Sequence, residues 1–179
     1  MQLGSFTITA PALGATTGSD IEAFGSIIWL WMHTPQHRDM PLHALNQVLL
    51  PPLKAQQYIL ASALNNGVLR PVAYMCWANF SADSERRYLA DANAIPTSDW
   101  SSGDRMWATD WLTPFGHSAK FSKAVLSLLP GACFRGLYHR GDERGLRVKT
   151  FRGDNVSRLE ANAWWQARPM LALPVSHSV

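Results

Sequence analysis

The sequence predicts one mixed α/β (α+β) domain, a central sheet flanked by helices. Three observations carry this reading. The chain has 179 residues, about the length of one domain. Segments with helical spacing of apolar residues interrupt runs of β-forming residues. Most of those β-runs are neighbours in sequence and are joined by turn signals, as hairpins are. A composition of 47% hydrophobic and 16% charged residues excludes a disordered chain, a collagen-like repeat and a coiled coil. A chain of this size buries roughly two thirds of its unfolded surface, so a core forms without metal or disulfide staples. The two cysteines, Cys76 and Cys133, fit neither a disulfide framework nor a zinc knuckle and suit a reducing compartment.

Residues 1–19 are rich in Gly, Thr, Ala and Pro with almost no charge, and read as a flexible N-terminal arm. Ser19 or Asp20 is a good N-cap, and Ile21 to His33 then reads as a helix with the stripe Phe24, Ile27, Ile28, Trp31. Pro35 ends it. Pro41 to Leu50 suits a second short helix, closed by Pro51-Pro52. Gln57 to Ala63 and Arg70 to Phe80 read as strands around an Asn65-Asn66-Gly67 turn. Ser81 caps a helix to Ala90. Ser101-Ser102-Gly103 is a turn before an aromatic-rich strand, Asp104 to Phe115. Gly116-His117-Ser118 opens a helix through Leu129, stopped by Pro130-Gly131. Cys133 to Arg140 and Leu146 to Gly153 read as a hairpin around Gly141-Asp142, and Asp154 to Ala167 as the last helix. The single domain is thus expected to span residues 20–170, with a tail at 171–179.

Charge is uneven. Residues 1–116 hold six Lys/Arg against nine Asp/Glu, whereas residues 117–179 hold ten against four. Such a basic portion attracts acidic partners at long range. Its bases are neither clustered into a tract nor interleaved with stacking aromatics, so nucleic acid is not the expected partner. The first Lys or Arg is Arg38, and the early apolar run Ile27 to Met32 is far short of the roughly 20 residues of a membrane span. The expected location is cytoplasmic.

No nucleophile elbow, P-loop, HExxH or GxGxxG is present. His33 and His37 have an i,i+4 spacing that could clasp a metal on a helix, but Pro35 between them breaks the helix, and no metal is expected. His37 lies in the polar loop Thr34-Pro35-Gln36-His37-Arg38-Asp39, directly after an apolar helix end, where a rigid support can present a catalytic group. On residue type alone, an exposed or structural histidine is the commoner outcome. Asp110 is flanked by bulky apolar residues in Trp107-Ala108-Thr109-Asp110-Trp111-Leu112. A carboxylate in a central strand must be paired or hydrogen-bonded. A partnership with an imidazole is one solution and a backbone-satisfied Asp at a bulge is another.

The blocks Trp29-Leu30-Trp31, Thr34-Pro35-Gln36-His37-Arg38-Asp39, Gln57-Tyr58-Ile59-Leu60, Pro71-Val72-Ala73-Tyr74, Cys76-Trp77-Ala78-Asn79, Ser102-Gly103-Asp104-Arg105 and Asp110 to Gly116 resemble the RTX toxin-activating lysine acyltransferases, in the family's order and near its spacing. The match is close over about residues 21–120 and looser beyond. The resemblance implies a variant of the Gcn5-related acetyltransferase fold and a tendency to form homodimers. It also implies transfer of a fatty acyl group from acyl carrier protein to internal lysines of an RTX protoxin. The donor would be the acyl-phosphopantetheine of the carrier, with no bound cofactor. The family's essential histidine falls on His37 and its essential aspartate on Asp110; Thr34 stands where relatives often carry Ser. Departures are Met40, where relatives usually have Trp, and a longer turn before Pro71.

On that implication, His37 would take a proton from the lysine ammonium, whose unperturbed pKa is about 10.4, while Asp110 orients the ring. A route through an acyl-enzyme on His37 stays open. The junction Phe115-Gly116-His117-Ser118 has one glycine where a coenzyme A pyrophosphate loop needs more. A carrier-borne donor needs no such loop, and Thr34, Arg38, Lys120 and Lys123 are candidate contacts for substrate or carrier. The competing readings are a small-molecule N-acetyltransferase using coenzyme A and a non-catalytic adaptor.

Overall fold

The computed structural model describes residues 1–138 and 147–170. Its strands are β1 (Gln2–Leu3), β2 (Phe6–Thr9), β3 (Tyr58–Asn65), β4 (Val68–Phe80), β5 (Arg105–Leu112), β6 (Cys133–Tyr138) and β7 (Arg147–Arg152). Its α-helices are α1 (Asp20–Met32), α2 (Leu45–Val48), α3 (Leu50–Lys54), α4 (Ala82–Ala90), α5 (Ser118–Leu128) and α6 (Arg158–Ala167).

Local chemistry explains most of these boundaries. Ser19 and Glu22 close a reciprocal capping box on α1, and Ser157 and Glu160 do the same on α6. Ser81 accepts from the Ser84 amide to cap α4. Between β3 and β4 the chain turns in two residues. Asn66 and Gly67 both take positive φ, +49° and +77°, the primed geometry that matches strand twist.

The seven strands lie side by side in chain order. Every neighbouring pair is antiparallel except β5 and β6, which run parallel with α5 as their crossover. Each face of the sheet buries a core. One contains Ile8, Ile59, Met75, Phe121 and Phe134 under α5. The other contains Ile27, Leu30, Tyr58, Tyr74, Tyr88 and Trp107 under α1 and α4. This mixed sheet flanked by helices agrees with the acetyltransferase-like arrangement expected from the sequence. Among the described residues no helix is long and apolar enough to cross a membrane.

Three expectations need correction. Residues 1–19 are not a loose arm: β2 pairs with β3 along its whole length, and Phe6 and Ile8 are buried. The low charge and the Gly and Pro content hide a four-residue alternation that supplies the strand. Pro51-Pro52 do not close a helix; they sit in the first turn of α3, where a missing N–H costs nothing. The last helix starts at Arg158 rather than Asp154, because Ser157 is the cap. The expected turn at Gly141-Asp142 and the tail at 171–179 lie outside the described residues.

The parallel pair is short. Only Trp107↔Arg135 and Ala108↔Gly136 are in register, and beyond them the C-terminal halves of β5 and β6 separate. The pinned end is held by Glu85 of α4, which is fully buried. Its Oε1 accepts from Trp107 Nε1 at 2.8 Å and Arg135 Nη1 at 3.0 Å, and its Oε2 accepts from Arg105 Nη1 at 2.8 Å. The Arg135 guanidinium also lies over the Trp164 and Trp165 rings, each 5.2 Å from the centroid, and so ties α6 to the same point. Removing one partner of a buried pair strands the other charge. Glu85→Ala is therefore expected to lower the unfolding free energy by about 3–5 kcal/mol in urea titrations. An unchanged midpoint would contradict this account of the clamp.

Candidate active site

The turn after α1 is set by Thr34. Its carbonyl accepts from the His37 and Arg38 amides at 3.1 and 3.0 Å, and its hydroxyl donates to the Trp31 carbonyl at 2.9 Å. The chain thereby folds back and lays the His37 ring against the Trp31 indole, 4.7 Å between centroids and 30° between planes.

Asp110 arrives from β5 by a different device. Opposite β4, Cys76 pairs with Asp110 but Trp77 pairs with Ala108, so Thr109 is an extra residue in β5. Strand side chains alternate, and an inserted residue reverses every face beyond it. Ala108 belongs to the α5-side core; without the bulge Asp110 would share that face. With it, Asp110 turns to the α1 side and meets Trp31 and His37, while Trp111 goes to the α5 side.

Asp110 Oδ2 accepts from Trp31 Nε1 at 3.2 Å and lies 3.4 Å from His37 Nε2. Its Oδ1 accepts from the Trp111 amide at 2.9 Å. On the other side of the imidazole, Nδ1 is 3.3 Å from Thr34 Oγ1. The Thr34 proton is committed to the Trp31 carbonyl, so its oxygen accepts from Nδ1–H. Nε2 thus faces the carboxylate. Both side chains are about five-sixths buried, with relative exposures of 16% and 17%.

The pair stands at a cleft of about 890 Å3 that opens where β5 and β6 part. Its polar end includes Thr34, Gln36, His37 and Asp110, and its apolar walls include Trp111 and Phe151. The size falls in the range of small-molecule sites. Cys76, next to Asp110 in the sheet, is a poor nucleophile: burial, reinforced by the nearby carboxylate, pushes its thiol up to about 12.

Of the residues singled out in the sequence, His37, Asp110 and Thr34 come together. Arg38 points away, exposed and 3.4 Å from the carboxylate of its neighbour Asp39. Lys120 and Lys123 line a separate cavity of about 340 Å3 between α5 and the β1–β2 turn. His33 donates to the Trp29 carbonyl at 2.7 Å and packs against Phe115, so it does not converge with His37. Among the described residues, no group of three or more His, Cys, Asp or Glu could hold a metal ion. Trp31 was legible as part of an apolar stripe and of the block Trp29-Leu30-Trp31, but not as a partner of the carboxylate. Its sole advance signal is that a buried indole N–H needs an acceptor.

The profile of the RTX toxin acyltransferase family matches residues 16–152. The chain is 37% identical over 156 residues to the protein-lysine palmitoyltransferase CyaC of Bordetella bronchiseptica, covering 86% of this chain and 82% of that one. It is 35% identical over 149 residues to the leukotoxin-activating lysine-acyltransferase LtxC of Aggregatibacter actinomycetemcomitans (83% and 86% covered). It is 34% identical over 142 residues to the protein-lysine myristoyltransferase HlyC of Escherichia coli (79% and 81% covered).

Trp31→Phe keeps an aromatic ring against His37 but removes the donor to the carboxylate. Hydrogen bonds to charged groups contribute about 1.5–3 kcal/mol, and a loss of that order is expected in chemical denaturation. Wild-type stability in this variant would show that the indole N–H does not hold Asp110.

Proposed function

The chain belongs to the RTX toxin acyltransferase family, and on that premise we propose that it transfers a fatty acyl group to lysine ε-amino groups of an RTX protoxin. The donor in this reading is the thioester of acyl-phosphopantetheine on acyl carrier protein, and the reaction takes place in the cytoplasm. The observation that carries the reading is the His37–Asp110 pair at the polar end of a large, partly apolar cleft. The relatives' printed activities, acylation, myristoylation and palmitoylation of protein lysines, fit that chemistry.

The target lysine must lose a proton before it attacks. His37 Nε2 takes that proton, and the new Nε2–H faces Asp110 Oδ2 while Nδ1–H keeps Thr34 Oγ1. The free amine adds to the thioester carbonyl, the C–N bond forms, and the C–S bond breaks. The departing pantetheine sulfur receives that proton from His37, which then takes the second proton from the new amide nitrogen and releases it to water. Asp110 acts on both steps, drawing the ammonium to the cleft and stabilising the transient imidazolium. Thr34 sets the ring angle. Lys120 and Lys123, exposed on α5, suit docking of an acidic carrier protein by charge complementarity. The carrier-borne donor also agrees with the single glycine at the β5–α5 junction, Gly116.

Mass spectrometry of a co-expressed RTX protoxin tests the proposal. Wild-type enzyme is expected to leave fatty-acylated lysines. His37→Ala and Asp110→Ala should each reduce acylation by about 100-fold or more while retaining wild-type circular dichroism. Full acylation with His37→Ala would refute the catalytic assignment, and unmodified lysines with wild-type protein would favour an adaptor.

A further inference from the structure

The cleft joins the two faces of the sheet. His37, Asp110 and Thr34 lie at its α1 side, whereas Trp111 and Phe151 belong to the core on the α5 side. The passage between them runs through the wedge where β5 and β6 diverge. The apex of that wedge is the last ladder pair, Ala108 and Gly136. Beyond it the Glu85 clamp closes the sheet.

On the α5 side the cleft is lined by Trp111 and Phe151, with Phe134 buried behind them. Trp111 lies on Phe151 at 5.3 Å with 13° between planes, and Phe151 lies on Phe134 at 4.8 Å and 10°. The Lys149 ammonium sits 5.2 Å from the Phe151 centroid with its side chain exposed, so its charge stays at the rim. Such flat apolar walls suit a linear chain without hydrogen-bonding groups.

Gly136 has no local reason to be glycine. Its φ lies outside the left-handed region, and a Cβ there would meet Phe151 Cε2 at 3.5 Å and the Ala108 Cβ at 3.7 Å, which are ordinary contacts. Glycine within a strand weakens the strand and commonly marks a place that something else approaches closely. Here it leaves a methyl-sized gap between the β6 backbone and the Phe151 and Ala108 side chains at the apex of the wedge.

We propose that the acyl chain crosses the sheet over Ala108 and Gly136 and lies against Trp111 and Phe151, so that Gly136 is the residue that admits long chains. The proposal rests on the acyl-transfer reading above. Asp110 is two residues from Ala108 along β5, roughly 7 Å of extended strand. A short acyl chain therefore ends before the apex, and only a long one has to pass it. A side chain at position 136 narrows the passage and selects against length.

The experiment uses full-length enzyme, RTX protoxin, and acyl carrier protein loaded with either hexanoyl or palmitoyl groups, with lysine acylation read by mass spectrometry. Each buried methylene contributes roughly a factor of four, so exclusion of three methylenes corresponds to roughly 60-fold. Gly136→Val is expected to lower the palmitoyl-to-hexanoyl ratio by about that factor, and Gly136→Ala by a smaller one in the same direction. Gly136→Ala, whose methyl group makes only ordinary contacts, carries the test if the valine variant does not fold. An unchanged ratio in a folded variant overturns the proposal. So does an equal loss with both donors, which would place the pantetheine arm rather than the acyl chain at the apex. Wild-type enzyme that transfers neither group overturns the functional reading itself, and this inference with it.

Discussion

One buried carboxylate organises the molecule. Glu85 receives the Trp107 indole and two guanidiniums, and so fixes β5 against β6 beside the two residue pairs, Trp107↔Arg135 and Ala108↔Gly136, at which the strands are in register. A sheet that continued its ladder would be sealed there. This one is pinned at a single place and open beyond it, and the opening is the cleft. An ion cluster buried this completely contributes little net stability over a well-packed apolar core, and breaking it is costly. Its evident consequence here is geometric: it sets where the sheet stops being closed.

The site depends on two further constraints. The bulge at Thr109 reverses the facing of β5, and without it Asp110 would look into the α5-side core. The Thr34 turn brings a ring from the next segment of chain under the end of α1. Trp31 links the two, because its N–H holds the carboxylate and its face supports the imidazole. The contact between His37 and Asp110 therefore relies on an indole that both partners share. At 3.4 Å their own separation is longer than a strong hydrogen bond.

How far the sequence discloses this arrangement follows from the range of the forces involved. Local chemistry was readable: the caps at Ser19 and Ser81, the Asn66-Gly67 turn, and the polarity of the loop that carries His37. Asp110 drew notice because a carboxylate among tryptophans in a strand demands a partner. A bulge at Asp110 was one of two alternatives the sequence left open, the other being an imidazole partner, and the structure has both; no Gly or Pro marks the extra residue, Thr109, whose cause lies in the pairing with β4. Arg135 belongs to the basic C-terminal portion of the sequence, yet it is buried against Glu85, 50 residues earlier in the chain. No pattern along the chain reports such a pairing. Lys120 and Lys123 lie on α5 within the basic portion of the sequence, but charge along a sequence does not say which cavity a helix faces. The N-terminal strand escaped notice because four residues of alternation are too few to outweigh a loop-like composition.

The central claim is that His37 and Asp110 act as one unit. A double-mutant cycle measures this directly, with single-turnover acyl transfer followed for His37→Ala, Asp110→Ala and the double variant. If the two side chains work as a unit, the double variant should be no slower than the slower single variant. Rate losses that multiply, as they do for independent groups, would contradict the pairing on which the account is built.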